Sequence, residues 1–279
     1  MQHFNFIDAS NLYSLHGKTR FRNIGIRYVG VGTETYTLGG AHYDVGPRRY
    51  LVGNHYAEGT IDIESKTPVC GICIDLDPRL VAQVVASHLR PDTAHPDEAL
   101  DTFFQNEDYP VHLQHAGNTP LGRQLQLLDA QARAKPFGHA LFSETFYLQT
   151  AALLVQETGE LMKQLMDLKT LRRSTRMDLH RKVALGKLYL DEHFPEAFHI
   201  AGVAKAAGMS EYHFFRVFKA VYRISPYQYV LKKRIDLAKT YLHRGNCTLS
   251  EVALQTGFAD LFSFSKAFKK HTGMAPSQF

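Results

Sequence analysis

VAKAAGMSEYHFFRVFK (Val203–Lys219) returns about fifty residues later as VALQTGFADLFSFSKAFK (Val252–Lys269). The offset between the two stretches is 49 residues up to the glycines, Gly208 and Gly257, and 50 residues from the phenylalanines that follow them. One residue is therefore inserted just after the second glycine. A fixed period with a single slip is typical of a repeated structural unit. We expect the C-terminal part of the chain to contain one supersecondary motif twice.

Each copy has the pattern of a short helix, a turn that contains glycine, and a second helix. The apolar residues of the first helices are spaced for one buried face: Ile200, Val203, Ala204 and Ala207, then Leu249, Val252 and Ala253. Thr248 and Glu251 form a capping box in front of the later copy. Turns with glycine are common between the helices of helix-turn-helix units. The repeat therefore predicts two such motifs, at residues 199–220 and 248–270.

The second helix of each copy divides into an apolar stripe and an outward face. The predicted stripe residues are Phe214, Val217, Phe218 and Val221, then Phe264, Ala267 and Phe268. The predicted outward residues are Tyr212, Phe215, Arg216 and Lys219, then Phe262, Ser265, Lys266 and Lys269. In this motif the second helix enters the major groove of DNA, where Arg and Lys reach guanine and apolar groups pack on thymine methyls. The alternative interpretation is that the outward cations are ordinary solvated charges.

The stretch between the copies, SPYQYVLKKRIDLAKTYLHRG, predicts one long helix. Ser225 is its expected N-cap, Pro226 its first residue and Gly245 its end. The buried stripe is expected at Leu231, Ile235, Ala238 and Leu242. About 18 residues at ~1.5 Å each make a rod of roughly 27 Å. A rod of that length suits two recognition helices about one DNA turn, ~34 Å, apart.

Charge is distributed unevenly along the 279 residues. Residues 171–279 contain 18 Lys and Arg against 8 Asp and Glu, a net charge of +10. The first 170 residues contain 14 against 19, a net charge of −5. This asymmetry favours a polyanionic partner for the C-terminal part alone.

The composition, 44% hydrophobic and 21% charged residues, is that of a globular chain long enough for two domains. Three cysteines make no disulfide framework and suit a reducing compartment. The start, MQHFNFIDASNLYS, lacks the basic and apolar regions of a signal peptide, and no apolar run is long enough for a membrane span. We expect a cytoplasmic protein with no membrane association.

The N-terminal half predicts β-structure followed by helices. The stretches IGIRYVGV, TYTL, YLVGNH, TIDIES and VCGICIDL are short, β-branched and aromatic, which favours a barrel or a sandwich over alternating strands and helices. Asp77–Pro78 and Thr119–Pro120 have the pattern of helix starts. A long helix is expected at about 141–168, with an apolar stripe at Phe142, Phe146, Leu153, Leu161, Leu165 and Leu168. The stripe could pack within its own domain or form a homodimer contact. The polar stretch 169–177 is the expected linker.

The sequence offers little support for catalysis. Cys70 and Cys73 have the spacing of a redox pair, but they lie in a predicted strand and not at a helix N-terminus. His42 and His55 fall in the β region without metal-ligand spacing. The sequence contains no phosphate loop, nucleophile elbow or paired-carboxylate motif. We expect no catalytic residue, no cofactor and no metal site.

From about Asp178 to Phe279, the chain resembles the DNA-binding domain of AraC/XylS-type transcription regulators. The matching stretches are IAGVAKAAGMSEYHFFRVFK, SPYQYVLKKRIDLAKTYL and LSEVALQTGFADLFSFSKAFKKHTGMAPSQF. The resemblance implies DNA contacts at Tyr212, Phe215, Arg216 and Lys219, and at Leu261, Phe262, Ser265, Lys266 and Lys269. Phe215 and Leu261 are apolar where many members of the family have polar side chains.

The stretch YDVGPRRYLVGNHYAEGTIDIESKTPVCGICIDLDPRLV resembles the effector-sensing domain of one subgroup of these regulators. The resemblance implies a cupin-like β-barrel at about 20–76, followed by helices at about 78–168. The expected fold is therefore α+β in two domains: 1–170, a barrel with following helices, and 178–279, an all-α domain with two helix-turn-helix motifs joined by a long helix.

The expected function is a transcriptional regulator that binds promoter DNA, senses a small molecule, and contacts RNA polymerase if it is an activator. One alternative gives residues 1–170 a role in dimerisation only, and another is an enzyme with a basic helical appendage.

Overall fold

The structure, a computed structural model, describes residues 5–88, 109–134, 142–166, 173–196 and 199–279. Its contacts divide the chain into two compact units, Met1–Lys163 and Gln164–Phe279. The first unit holds a β-sheet with helices and the second is helical. The α+β architecture expected from the sequence is confirmed.

The first unit is built on a nearly closed, barrel-like sheet of seven strands. They are β1 (Phe6–Arg20), β2 (Ile24–Val31), β3 (Glu34–Leu38), β4 (Ala41–Val45), β5 (Arg49–Gly53), β6 (Glu58–Leu76) and β7 (His112–His115). Every pairing is antiparallel, in the order β4-β3-β6-β2-β5-β7, and β1 pairs with β6. One end of β6 pairs with β3 and the other with β2, so this long strand organises the sheet.

Two expectations about the strands are corrected. The sequence predicted separate strands at 60–65 and 69–76, whereas β6 is one strand with an irregularity. Its pairing with β1 changes register between Leu12, opposite Val69, and Ser14, opposite Glu64. Proline cannot donate a backbone hydrogen bond, so Pro68 suits this irregular place. The sheet also begins at Phe6 and not near residue 20, because the polar strand β1 is defined by its pairing with β6.

In the described residues of the first unit and across its boundary lie three helices, α1 (Pro78–His88), α2 (Pro120–Ala134) and α3 (Glu144–Met166). The expected helix starts are confirmed. The Asp77 carboxylate accepts a hydrogen bond from the backbone N–H of Arg79 at 2.9 Å, and the Thr119 hydroxyl accepts one from Gly122 at 2.9 Å. The helices cover one face of the sheet, where Ile26, Tyr28, Ile72, Ile74, Leu125 and Leu154 share one core.

The apolar stripe of α3 packs largely against other residues of the same chain. Phe142, Phe146 and Leu153 are half-buried against the core of the first unit, and Leu161 and Leu165 are buried. Leu168 lies outside the described residues. This packing favours the intramolecular role of the stripe, and a homodimer contact through 141–168 stays a prediction.

The part of the second unit that the structure describes contains six further helices and a final 3-10 turn, Pro276–Gln278. The helices are α4 (Arg173–His193), α5 (Ile200–Ala206), α6 (Glu211–Tyr222), α7 (Pro226–Arg244), α8 (Leu249–Gln255) and α9 (Leu261–Thr272). Residues 173–177, which the sequence placed in the linker, form the first turns of α4. Their Arg and Met residues are good helix formers, and the stretch contains no Gly or Pro to end a helix. The domain limits 170 and 178 stay predictions.

A buried carboxylate ties α4 to α7. The Asp191 carboxylate lies 3.1 Å from Lys187 Nζ and 3.2 Å from Lys233 Nζ, and it accepts a short hydrogen bond from the Tyr229 hydroxyl. Burial alone would raise the pKa of Asp191, but the two ammonium groups and this hydroxyl hold it below its usual value. The charged form is therefore part of the folded second unit.

Candidate nucleic-acid interface

The first helix-turn-helix consists of α5, a turn and α6. The turn passes through Gly208, whose φ of +61° is a left-handed conformation that favours glycine. The Ser210 hydroxyl then caps α6 by accepting a hydrogen bond from the backbone N–H of His213 at 3.4 Å. The cap and the turn fix where α6 begins and how it leaves α5. The expected motif is present.

The second helix-turn-helix repeats this construction with α8 and α9. Thr248 and Glu251 form the expected capping box, with the Thr248 N–H donating to the Glu251 carboxylate at 2.7 Å. Gly257 has a φ of +83°. The Asp260 carboxylate accepts a hydrogen bond from the Ser263 N–H at 2.6 Å, and this bond lowers the pKa of Asp260. The two motifs thus share their turn conformation and have side-chain caps on α6 and α9.

The connector between the motifs begins and ends as expected. Ser225 and Gln228 form a capping box before Pro226, and α7 ends before Gly245, whose φ is +66°. Its 19 residues give a length of about 28 Å at ~1.5 Å per residue.

The inward and outward faces of α6 and α9 correspond residue by residue. Phe214, Phe218, Phe264 and Phe268 are each 0% exposed, as the stripe predicts. Arg216 and Lys219 on α6 are exposed, and so are their counterparts fifty residues later on α9. Ala267 is half-buried. The second helices of the two motifs therefore present the same pattern to solvent.

The second helix of each motif also presents a large aromatic side chain to solvent. Tyr212 is 72% exposed and Phe262, its counterpart, is 77% exposed. Leu261 precedes Phe262 and is 40% exposed. Because a folded chain gains stability by burying such groups, matched exposed aromatics indicate a contact surface. Phe215 and Ser265 differ from the expectation, since both are half-buried at the edge of this face.

The cations of the face are available for an anionic partner. The guanidinium carbon of Arg216 lies 5.5 Å from the Tyr212 ring centroid, an arrangement that leaves the N–H groups free to bind. In the described part of the chain, Lys219, Lys266 and Lys269 have no ion-pair partner. We define the recognition surface as these six exposed residues, Tyr212, Arg216, Lys219, Phe262, Lys266 and Lys269.

The sheet of the first unit encloses charged groups that the sequence patterns did not identify. Arg27 Nη2 donates to the Asp75 carboxylate at 3.1 Å, and both side chains are about nine-tenths buried. The Tyr36 hydroxyl donates to the buried Glu34 carboxylate at 2.8 Å, and burial raises the pKa of Glu34. One sequence feature could have indicated these buried charges, namely the single arginine within the apolar run IGIRYVGV.

The two cysteines with redox-pair spacing do not form a disulfide. Cys70 and Cys73 are half-buried free thiols, and burial of the Cys73 sulfur raises the pKa of its thiol to about 11. A thiol with that pKa is a poor nucleophile at neutral pH. Among the described residues, no group of three or more His, Cys, Asp or Glu could hold a metal ion. In the same ranges, no helix is long and apolar enough to cross a membrane.

Two family models match the chain. The model described as "AraC-type transcriptional regulator N-terminus" matches residues 14–159, and the model described as "Helix-turn-helix domain" matches residues 203–279. The first covers more than half of the chain and includes the barrel-like sheet. The second begins within α5 and includes the rest of both helix-turn-helix motifs.

Several curated proteins are similar to this chain. LumQ of Photobacterium leiognathi, described as a probable transcriptional regulator, is 36% identical over 91 residues, which are 33% of this chain and 37% of that protein. AdaA of Bacillus subtilis, described as a bifunctional transcriptional activator and DNA repair enzyme, is 33% identical over 91 residues, 33% of this chain and 43% of that protein. The MmsAB operon regulatory protein of Pseudomonas aeruginosa is 28% identical over 200 residues, 69% of this chain and 57% of that protein.

The matched stretches span less than two thirds of these relatives' own lengths. The two family models, in contrast, match parts of both units of this chain and agree with the sheet and the repeated motif described above. The chain therefore belongs to the family of AraC-type transcriptional regulators.

Proposed function

We propose that the chain is a sequence-specific regulator of transcription whose two recognition helices, α6 and α9, read adjacent major-groove segments of a promoter. The observation that carries the proposal is the recognition surface, in which exposed aromatic and basic residues recur at an offset of 50 residues. Matched surfaces on two helices suit a ligand that itself repeats, and the DNA major groove repeats at every turn.

The recognition surface divides by chemistry. Arg216 and Lys266 lie one turn after the exposed aromatics and can donate to guanine O6 and N7. Lys219 and Lys269 lie nearly one turn further along and suit phosphate oxygens. The exposed rings of Tyr212 and Phe262 can pack on thymine methyl groups. Leu261, Phe215 and Ser265 lie beside the recognition surface and would make peripheral contacts with the DNA.

We further propose that the first unit senses a small-molecule effector. Support comes from the buried polar groups of the sheet. Glu34 Oε1 and the Ser10 hydroxyl, which has no hydrogen-bond partner within the described residues, both approach Gly71. Burying a polar group without a hydrogen-bond partner is unfavourable, so we infer a polar ligand that bonds to the Ser10 hydroxyl beside Glu34.

The two alternatives remain distinct in their consequences. A unit used only for dimerisation would bind no metabolite. An enzyme would turn one over. Contact with RNA polymerase follows only if the protein activates transcription.

Binding of full-length protein to fluorescently labelled DNA tests the first proposal. The chain has no Trp, so the signal must come from the DNA. Each phosphate that the protein neutralises adds about −0.9 to the slope of log affinity against log salt. Lys269→Ala should flatten this slope by about one unit. Lys66→Ala, which removes the same charge from an exposed site in the first unit, is the matched control and should leave the slope unchanged. A wild-type slope near zero would contradict the proposal.

Thermal unfolding of the full chain against a metabolite library tests the second. A ligand at a hundredfold excess over its Kd adds about 2.7 kcal/mol of stability. We expect one compound class to stabilise the wild type but not Glu34→Gln. Stabilisation of neither protein contradicts effector binding, and chemical turnover would favour the enzyme alternative.

A further inference from the structure

The two helix-turn-helix motifs have separate hydrophobic cores. Val203, Phe214 and Phe218 belong to the first core, and Val252, Phe264 and Phe268 belong to the second. The connector α7 contributes Val230 to the first core and Ile235 to the second. Because the cores share no residue, the orientation of the two motifs depends on α7, which enters both cores, and on direct contacts between the motifs.

Arg234 lies between the two cores and contacts both sides. Its Nε donates to the carbonyl of Phe194 at 2.7 Å, and its Nη2 donates to the carbonyl of Glu196 at 2.7 Å. These carbonyls belong to the segment that connects α4 to α5, the first helix of the first motif. On its other side, the guanidinium carbon lies 6.0 Å from the ring centroid of Phe258, a residue of the second core.

Gly257 completes this junction. A side-chain carbon at Gly257 would overlap the carbonyl oxygen of Pro195 and would lie 2.9 Å from the guanidinium carbon of Arg234. The turn of the second motif is thus in direct contact with the segment after α4. Gly208, its counterpart in the first motif, has nothing within 4 Å of the same position. The two glycines share a positive φ, but only Gly257 also needs to be small.

We propose that the junction formed by Arg234, Pro195 and Gly257 fixes the distance and rotation between α6 and α9, and so sets the DNA spacing that the protein accepts. Arg234 is a positioning residue here, since it acts through the helices that touch DNA. The inference rests on the proposed function. Its physical basis is that the planar guanidinium donates to two carbonyls at once, which holds the segment in one orientation.

The spacing between the two DNA segments that the protein accepts is sensitive to small changes at the junction. Successive base pairs are separated by about 3.4 Å along the DNA axis. The Pro195 carbonyl is backbone and cannot rotate away from a new methyl group, so the two motifs themselves must separate. A shift of that kind is carried to α9, which moves with the second core.

Selection of randomised DNA by the full chain, followed by sequencing, measures the preferred spacing between the two bound segments. The variants are Gly257→Ala and Arg234→Lys, with Gly208→Ala as the matched control. Both alanine variants have a side chain at positive φ and so share the backbone strain. Arg234→Lys keeps the positive charge but loses the two-carbonyl donation, so a phosphate contact by this residue would largely persist.

We expect the wild type and Gly208→Ala to select two segments at one spacing. Gly257→Ala and Arg234→Lys should select the same two segments over a spread of at least two spacings. If Gly257→Ala does not fold, as judged by its thermal unfolding, Arg234→Lys alone decides. A single unchanged spacing in the folded junction variants overturns the inference and leaves the proposed function intact. A wild type that selects no paired segments contradicts the proposed function itself.

Discussion

Replacing Arg216 by alanine should weaken sequence reading by α6 at one or two base pairs without unfolding the helix. Arg216 is exposed, and the described contact of its guanidinium is with the Tyr212 ring at 5.5 Å. An exposed contact of this type contributes about 0.5–1 kcal/mol. A bidentate bond from arginine to guanine contributes about 1–3 kcal/mol. The variant should therefore bind its preferred DNA about 5- to 140-fold more weakly, since 1.4 kcal/mol corresponds to tenfold.

The assay compares the DNA selected by the wild type, Arg216→Ala and Lys269→Ala from a randomised pool, together with their dissociation constants. Arg216→Ala should lose its preference at one or two base pairs. Lys269→Ala should weaken binding to all sequences about equally. If Arg216→Ala retains the full preference of the wild type, Arg216 is not a base reader. The specificity would then have to lie in α9.

Three further predictions concern stability and reactivity. Asp191→Asn should lower the free energy of unfolding at pH 7 by about 3 kcal/mol, because it leaves Lys187 and Lys233 without their buried partner. The pKa of Asp191 is lowered in the folded state, so its contribution is present above the unfolded value of ~3.9 and is lost as pH falls through the folded value. Urea denaturation at several pH values should show the difference between variant and wild type shrinking below about pH 4. Phe264→Ala should destabilise the second unit by about 3–5 kcal/mol, measured by the same denaturation, since this ring is fully buried. Cys73 should react with iodoacetamide at pH 8 far more slowly in the folded protein than in urea, as followed by mass spectrometry, because burial raises its thiol pKa.

The repeated motif could be predicted from the sequence because its determinants are local. Helix caps, glycine turns and apolar stripes each act within one helix or one turn, and Ser225, Thr248, Gly208 and Gly257 are found in these roles. The exposed faces of α6 and α9 follow from the same helical spacing. That these faces contact DNA is still a proposal.

The sheet could be predicted only in part, because strand pairing is a long-range property. IGIRYVGV forms β2 with the expected limits, Ile24–Val31, since its apolar residues are recognisable alone. Strand β1 is mostly polar and exposed, and it becomes a strand by pairing with residues about 40–70 positions later. Strand β7 has only four residues and no distinctive pattern.

The junction between the two motifs could not be predicted from the repeat. Gly208 and Gly257 are equivalent in sequence, yet only Gly257 is packed against backbone. One sequence feature pointed to a buried contact of Arg234. This residue lies three positions after Leu231 and four before Ala238, on the apolar stripe of α7. A charged residue on such a stripe needs hydrogen-bond partners, which here are carbonyls about 40 residues earlier.

The central claim is that α6 and α9 occupy DNA at the same time. Hydroxyl-radical footprinting of the full chain on a DNA obtained by selection measures this directly. Two protected patches on one face of the duplex, about 10 base pairs apart, are the predicted result, because α7 and the junction together hold α6 and α9 about one DNA turn apart. Protection of a single patch by the wild-type protein would contradict the claim.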